Sequence, residues 1–252
     1  MLPHIHITIS GYALMVGIGV FCALSLTYRR NHFFGFSLKE ILALAGANAI
    51  GVVLGSKLLF FLVQLPELVR EFSFRLLIER IMTSGFVFYG GLLGALLMTF
   101  FCCKLLKMRT KQVYNFLVPA YLIFHACGRL GCLMAGCCYG KESAFGFVMQ
   151  DGVRRFPVQL LECVCILFIV CYILWIERRK PETSLLTIYL SLYAPCRFGL
   201  EFLRADEIRG IWGIFSTSQW ISVMILLVLI CGRIQKKIKI SNRDEQNSLI
   251  KK

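Results

Sequence analysis

The chain has 252 residues, 58% of them hydrophobic, with a mean hydropathy of +0.71 and a formal charge of +14. That apolar fraction exceeds what one soluble core buries, so the excess has to face lipid. The apolar runs are about 17 to 25 residues long and do not alternate in segments of about ten, which excludes a β-barrel and predicts a helical bundle.

The first apolar run covers Ile7 to Tyr28. Neither Lys nor Arg precedes it and no small-residue cleavage site follows, so it reads as an uncleaved span with the N-terminus outside. Further runs at 38–64, 84–106, 112–127, 157–176, 184–203 and 211–232 bring the expected total to seven spans. Lys and Arg divide unevenly between alternate loops. Seventeen lie on the side of Arg29 to Lys39, Lys104 to Lys111, Arg178 to Lys180 and the tail from Arg233, against nine on the other side. By the positive-inside rule the C-terminus is cytoplasmic, and 1–6, 66–83, 128–156 and 204–210 are outside. The expected organisation is one membrane domain over 1–235, with a small extracytoplasmic head region and a basic cytoplasmic tail over 236–252. Because the basic residues sit at the ends of apolar runs, topology accounts for them and a nucleic-acid partner is not expected.

From Pro66 to Met82, acids and arginines alternate with Leu68, Val69, Phe72, Leu76 and Leu77 at helical spacing, which reads as an amphipathic interfacial helix over 66–83 or as a solvated connector. Residues 139–156 are polar and contain glycine, and predict a short hairpin. No internal repeat is visible, which argues against a transporter built from duplicated halves.

Of the twelve cysteines, Cys22, Cys102, Cys103, Cys163, Cys165, Cys171 and Cys231 lie in apolar runs and read as small hydrophobes, so a disulfide scaffold is not expected. Cys127, Cys132, Cys137 and Cys138 invite a zinc reading but contain no CxxC pair. Turns of small residues explain their spacing as well, and no metal is assigned.

Three stretches place polar groups where a membrane protein can least tolerate them without a purpose. His125, Gly128, Arg129 and Gly131 lead into Gly136, Cys137, Cys138, Tyr139 and Gly140, a glycine-rich segment around an arginine that reads as a phosphate cradle or as a close helix contact. Tyr193, Arg197, Glu201 and Arg204 fall on one helix face, as an anionic head-group site or as internal ion pairs. Arg155, Pro157, Gln159 and Glu162 open the fifth span, where Pro157 suits a first turn and Gln159 and Glu162 share a face.

In order and spacing these stretches resemble the prolipoprotein diacylglyceryl transferase family. The resemblance begins with Tyr12 in the first span and Gly90-Gly91-Leu92 in the third, and continues through Gly128-Arg129-Leu130-Gly131 and the Gly136 to Gly140 loop. Arg155 to Glu162, Tyr193 to Arg204 and Ser218-Gln219 complete it, over most of residues 8–232. It implies a multi-pass enzyme of the bacterial inner membrane, without a cofactor. Such an enzyme moves the diacylglyceryl group of phosphatidylglycerol onto the lipobox cysteine of preprolipoproteins and releases glycerol 1-phosphate. By the same resemblance Arg129, Arg197, Tyr89 and Glu201 are catalytic. Tyr12, Gly90, Gly91, Gly128, Gly131, Gly136, Gly140, Gln159, Glu162, Tyr193 and Arg204 bind substrate.

The chain departs from the family pattern at Tyr89 and Phe156, where many members carry histidine, and at Cys132, Ala135, Cys137 and Cys138, where amides and a glutamate are usual. A phenol is a poor general base at neutral pH, so either Glu201 serves or arginine electrostatics suffice. Two other readings stay open, a related lipid-group transferase with a different acceptor and a non-catalytic lipid-binding member.

Overall fold

The computed structural model describes residues 10–70, 88–149, 152–205 and 211–250. Among these the chain forms the helices α1 (Gly11–Phe34), α2 (Leu38–Arg70), α3 (Phe88–Leu105), α4 (Thr110–Met134), α5 (Val158–Arg179), α6 (Leu185–Leu200) and α7 (Thr217–Ile250). Antiparallel β1 (Glu142–Val148) and β2 (Arg154–Arg155) make the expected hairpin, and β3 (Ile211–Trp212) pairs with β4 (Phe215–Ser216) ahead of α7. Five segments are long and apolar enough to cross a membrane: α1, Leu38–Leu62 of α2, α4, α5 and Thr217–Gln235 of α7. Gly90–Leu105 is a shorter apolar helix. The protein is therefore a helical, multi-pass membrane protein. Most of the expected amphipathic segment at 66–83 lies outside the described residues, as do 1–9.

The chain divides into two compact units, Met1–Arg30 with Tyr114–Lys252, and Asn31–Val113. In the second unit α2 and α3 cross on paired small-residue motifs, Gly51-x-x-x-Gly55 and Gly90-x-x-x-Gly94. A Cβ on Gly55 would collide with the Gly90 carbonyl, and one on Gly94 with that of Gly51. Backbones approach this closely only without side chains, and in lipid such packing is a principal source of helix association. Ser37 and Glu40 cap α2 reciprocally, the Ser37 N–H donating to Glu40 Oε2 at 2.8 Å.

In the first unit the core lies between α4, α5 and α6, where Val118, Leu122 and Ala126 meet Cys163, Ile166, Val170 and Ile173 and also Leu185, Tyr189 and Tyr193. One end of this bundle is tied by polar groups. Arg30 at the end of α1 pairs with Glu177 of α5, its Nη2 lying 2.8 Å from Oε1, and also donates to the Asn115 carbonyl at 2.9 Å. The Asn115 side chain in turn donates to the Thr183 carbonyl and accepts from the Leu185 N–H, each at 2.8 Å, fixing the turn into α6.

Two expectations need correction. The fourth span was expected to end at 127, with a loop around Arg129. Instead α4 continues to Met134, so Gly128, Arg129 and Gly131 are helical. A helical glycine costs only about 1 kcal/mol relative to alanine. At Gly131 close packing compensates, since an added Cβ would stand 3.1 Å from the Tyr12 ring and 3.3 Å from Met15. The second correction concerns Glu201 and Arg204, which do not continue the α-helix of Tyr193 and Arg197. α6 stops at Leu200, a 3-10 turn follows over Glu201–Leu203, and Arg204 is extended.

Candidate active site

Glu162 is the centre of the site. It sits in the first turns of α5, 1% exposed, and its carboxylate is met by side chains of two other helices. Tyr193 of α6 donates its hydroxyl to Oε1 at 2.6 Å, and Arg129 of α4 brings Nε to 3.1 Å of the same oxygen. Arg197 of α6 approaches Oε2 with Nη1 at 3.4 Å. His125, one helical turn before Arg129, stacks edge-on against Tyr193 at 5.0 Å between centroids, with Nε2 3.9 Å from Oε1. The sequence placed Gln159, Glu162, Arg129, Tyr193 and Arg197 as candidates separately, and three helices bring them together.

Glu201 makes the second node. Its Oε2 lies 2.7 Å from Arg197 Nη2 and 3.6 Å from Arg204 Nη1, and Arg197 also donates to Ser218 Oγ at the start of α7, at 3.2 Å. The expected ion pair between Arg197 and Glu201 is therefore present. Glu201 is engaged by two guanidiniums, an arrangement that suits a carboxylate holding arginines in place. Among the described residues, Arg129, Arg197 and Arg204 are buried and pair with the buried carboxylates of Glu162 and Glu201. Buried charges of this kind are costly unless paired and hydrogen-bonded.

The loop after α4 closes the site. Gly136, with φ +65°, ends the helix: its N–H bonds the Leu133 carbonyl at 3.2 Å, and the next N–H, of Cys137, bonds the Cys132 carbonyl at 3.1 Å. That pair of bonds is a Schellman cap, which stacks the residue after the glycine over the one five positions earlier. Cys132 and Cys137 are thereby neighbours, and Cys138, itself left-handed at φ +58°, turns back beside them. The Cys138 thiol is held below the ordinary cysteine range, first by hydrogen bonds from Cys132 and Cys137 and then by Arg204 and Arg129. Gln159 Nε2 donates to the Cys137 carbonyl at 2.7 Å and pins the loop to α5. The next residues bridge to the strand after α6, Lys141 N–H to Leu203 carbonyl at 2.9 Å and Ala205 N–H to Tyr139 carbonyl at 3.1 Å. Gly140 allows this, since a Cβ there would stand 2.5 Å from the Phe156 carbonyl oxygen. Sequence reasoning read the cysteines as turns of small residues; the spacing of five across Gly136 was the signal that they cluster.

The other expected residues are placed as follows. Tyr12 packs at Gly131, within electrostatic reach of the three thiols and Arg129. Gly128 faces open space. Gly90 and Gly91 lie at the α2 contact in the other unit, where packing accounts for them, Gly91 standing against Ser56 Oγ. Tyr89 is in the first turn of α3, but its side chain falls outside the described residues.

A polytopic helical protein with a buried arginine–carboxylate cluster is, by class, a membrane protein with a candidate functional site inside its bundle. The family profile for prolipoprotein diacylglyceryl transferases matches residues 1–234. A phosphatidylglycerol–prolipoprotein diacylglyceryl transferase 2 of Clostridium perfringens is 31% identical, the match covering 87% of this chain and 88% of that protein. Phosphatidylglycerol–prolipoprotein diacylglyceryl transferases of Clostridium tetani (27% identical, 87% and 90% covered) and Acinetobacter baumannii (26%, 86% and 84%) are similar over the same extent. The chain belongs to the prolipoprotein diacylglyceryl transferase family.

Proposed function

We infer that this protein transfers the diacylglyceryl group of phosphatidylglycerol to the lipobox cysteine of preprolipoproteins, the first step of lipoprotein maturation, in the bacterial inner membrane. The observation that carries the reading is the buried cluster in which Arg129, Arg197 and Arg204 gather around Glu162 and Glu201. Phosphatidylglycerol presents one phosphodiester charge at the depth of the head groups, and planar guanidiniums hold phosphate oxygens in pairs. The acceptor thiol gives up its proton to water, and the resulting thiolate attacks the glycerol carbon that bears the phosphate. The carbon–oxygen bond breaks with its electron pair on the phosphate, and glycerol phosphate departs with a second negative charge. Arg129 and Arg197 stabilise that growing charge in a low-dielectric site, where fixed donors act most strongly. Glu162, Tyr193 and Glu201 hold the arginines in register, which spares the reorganisation that water would require.

The chain is read as seven spans over 1–235, N-terminus outside and the basic tail over 236–252 in the cytoplasm, with the arginine cluster at the outer end. Purified protein given phosphatidylglycerol and a lipobox peptide is expected to form a thioether on the peptide cysteine, detected by mass spectrometry as a diacylglyceryl mass increment. Product on a different acceptor alone, or lipid bound without turnover, would overturn the assignment.

A further inference from the structure

We propose that Cys132, Cys137 and Cys138 hold a zinc ion whose open fourth position takes the thiolate of the acceptor cysteine. This deepens the transferase reading and rests on it for the identity of the fourth ligand.

The three sulfurs all lie within 4.8 Å of one another. A tetrahedral zinc–thiolate site, with Zn–S near 2.3 Å, separates its sulfurs by about 3.8 Å, so side-chain rotation of about an ångström closes the set. The clustering is built by the backbone: the Schellman cap at Gly136 stacks Cys137 on Cys132, and Cys138 takes a left-handed conformation that non-glycine residues enter only at a cost. The Gln159 bond to the Cys137 carbonyl and the pairing of 139–141 with 203–205 hold the turn on two further elements. Cys127, the other member of the series, lies elsewhere, its Cβ against Gly19 of α1.

Charge also fits. Zinc with three thiolates carries one net negative charge, and Arg129 and Arg204 are the guanidiniums that act on these sulfurs. Three protein ligands with one position free is the pattern of catalytic zinc, whereas structural zinc is closed by four. Cys137 is exposed, which leaves the cluster open on one side.

The site supplies a way to activate the thiol that Glu162 and Glu201, both engaged by arginines, do not offer. At the fourth position the peptide thiol loses its proton to water on binding, because a coordinated thiol is deprotonated outright. The bound sulfur then forms the bond to the glycerol carbon as the carbon–oxygen bond to phosphate breaks. The pair leaves on the phosphate, and the resulting thioether, a neutral and weaker ligand, dissociates. No electron transfer is involved.

The test uses the full-length protein in detergent or nanodiscs, purified under reducing conditions. Mass spectrometry is expected to find about one zinc per chain, and X-ray absorption three sulfurs at about 2.3 Å. Adding a lipobox peptide should raise the count to four, and a peptide with serine in place of cysteine should not. Cys137→Ser and Cys138→Ser should each lower zinc content while Cys127→Ser retains it. Chelation of the wild-type protein should cut turnover by roughly a hundredfold or more, the scale of losing a positioned base, with recovery on zinc addition. Substoichiometric zinc, a disulfide among the three, or an unchanged sulfur count with the peptide would each overturn the proposal. Full turnover by the metal-free chain would overturn it while leaving the transferase reading intact. A fourth sulfur without any thioether product would support the zinc site and overturn that reading instead.

Discussion

At Arg129 and Arg197 the proposed phosphate grip calls for a planar fork, since both side chains reach Glu162 from different helices. An ammonium offers a point charge on a shorter reach. Arg129→Lys and Arg197→Lys are each expected to lose at least about a hundredfold in turnover, the scale of removing one preorganised donor from an anion site. The measurement is thioether formation at matched expression, and a Lys variant at wild-type rate would return that arginine to a purely structural role. Tyr89 carries a milder expectation. As a hydrogen-bond donor to the lipid, it would contribute about 0.5–1.5 kcal/mol, so Tyr89→Phe should slow turnover only about threefold to tenfold between pH 6 and 9. A fall beyond about a hundredfold, with the wild-type rate rising toward the phenol's pKa, would make Tyr89 the base.

The α2–α3 crossing shows how one element depends on the absence of atoms from another. Gly55 and Gly90 place each carbonyl where the other's Cβ would be, and Gly51 and Gly94 repeat the arrangement a turn away. Gly55→Leu has no room to rotate out of the contact and should abolish the folded fraction or lower the unfolding midpoint sharply. Gly46, on the same helix, meets nothing within 4 Å. There Gly46→Ala should leave the midpoint unchanged or raise it, since alanine is favoured in helices by up to about 1 kcal/mol. Thermal unfolding followed by helical circular dichroism distinguishes the two, and equal destabilisation by both would reject the crossing as the cause.

Across the whole molecule, the proposed orientation rests on where Lys and Arg sit relative to the apolar runs. A cysteine introduced at Lys180, in a background without reactive native thiols, should resist an impermeant maleimide in intact cells and react after permeabilisation. Rapid labelling of intact cells would reverse the assigned topology and put the arginine cluster on the wrong side for secreted preprolipoproteins.

Much was legible without coordinates. Hydropathy and the spacing of apolar runs determine that the chain is a helical multi-pass membrane protein, because the bilayer penalises every unpaired backbone group and sets a minimum span length. The short polar segment at 139–156 read correctly as a hairpin, and the ordered motifs from Tyr12 to Gln219 carried the family. What lay beyond the sequence was how groups far apart in it meet. Arg129, Glu162 and Arg197 occupy three helices, and no local pattern states that one carboxylate faces two arginines. The end of α4 also escaped, since glycines at 128 and 131 look like a loop, and only the packing of Gly131 against Tyr12 and Met15 offsets part of the cost. Local composition sets which segments enter the membrane, whereas the site depends on side-chain packing between helices, and only the tertiary structure decides that.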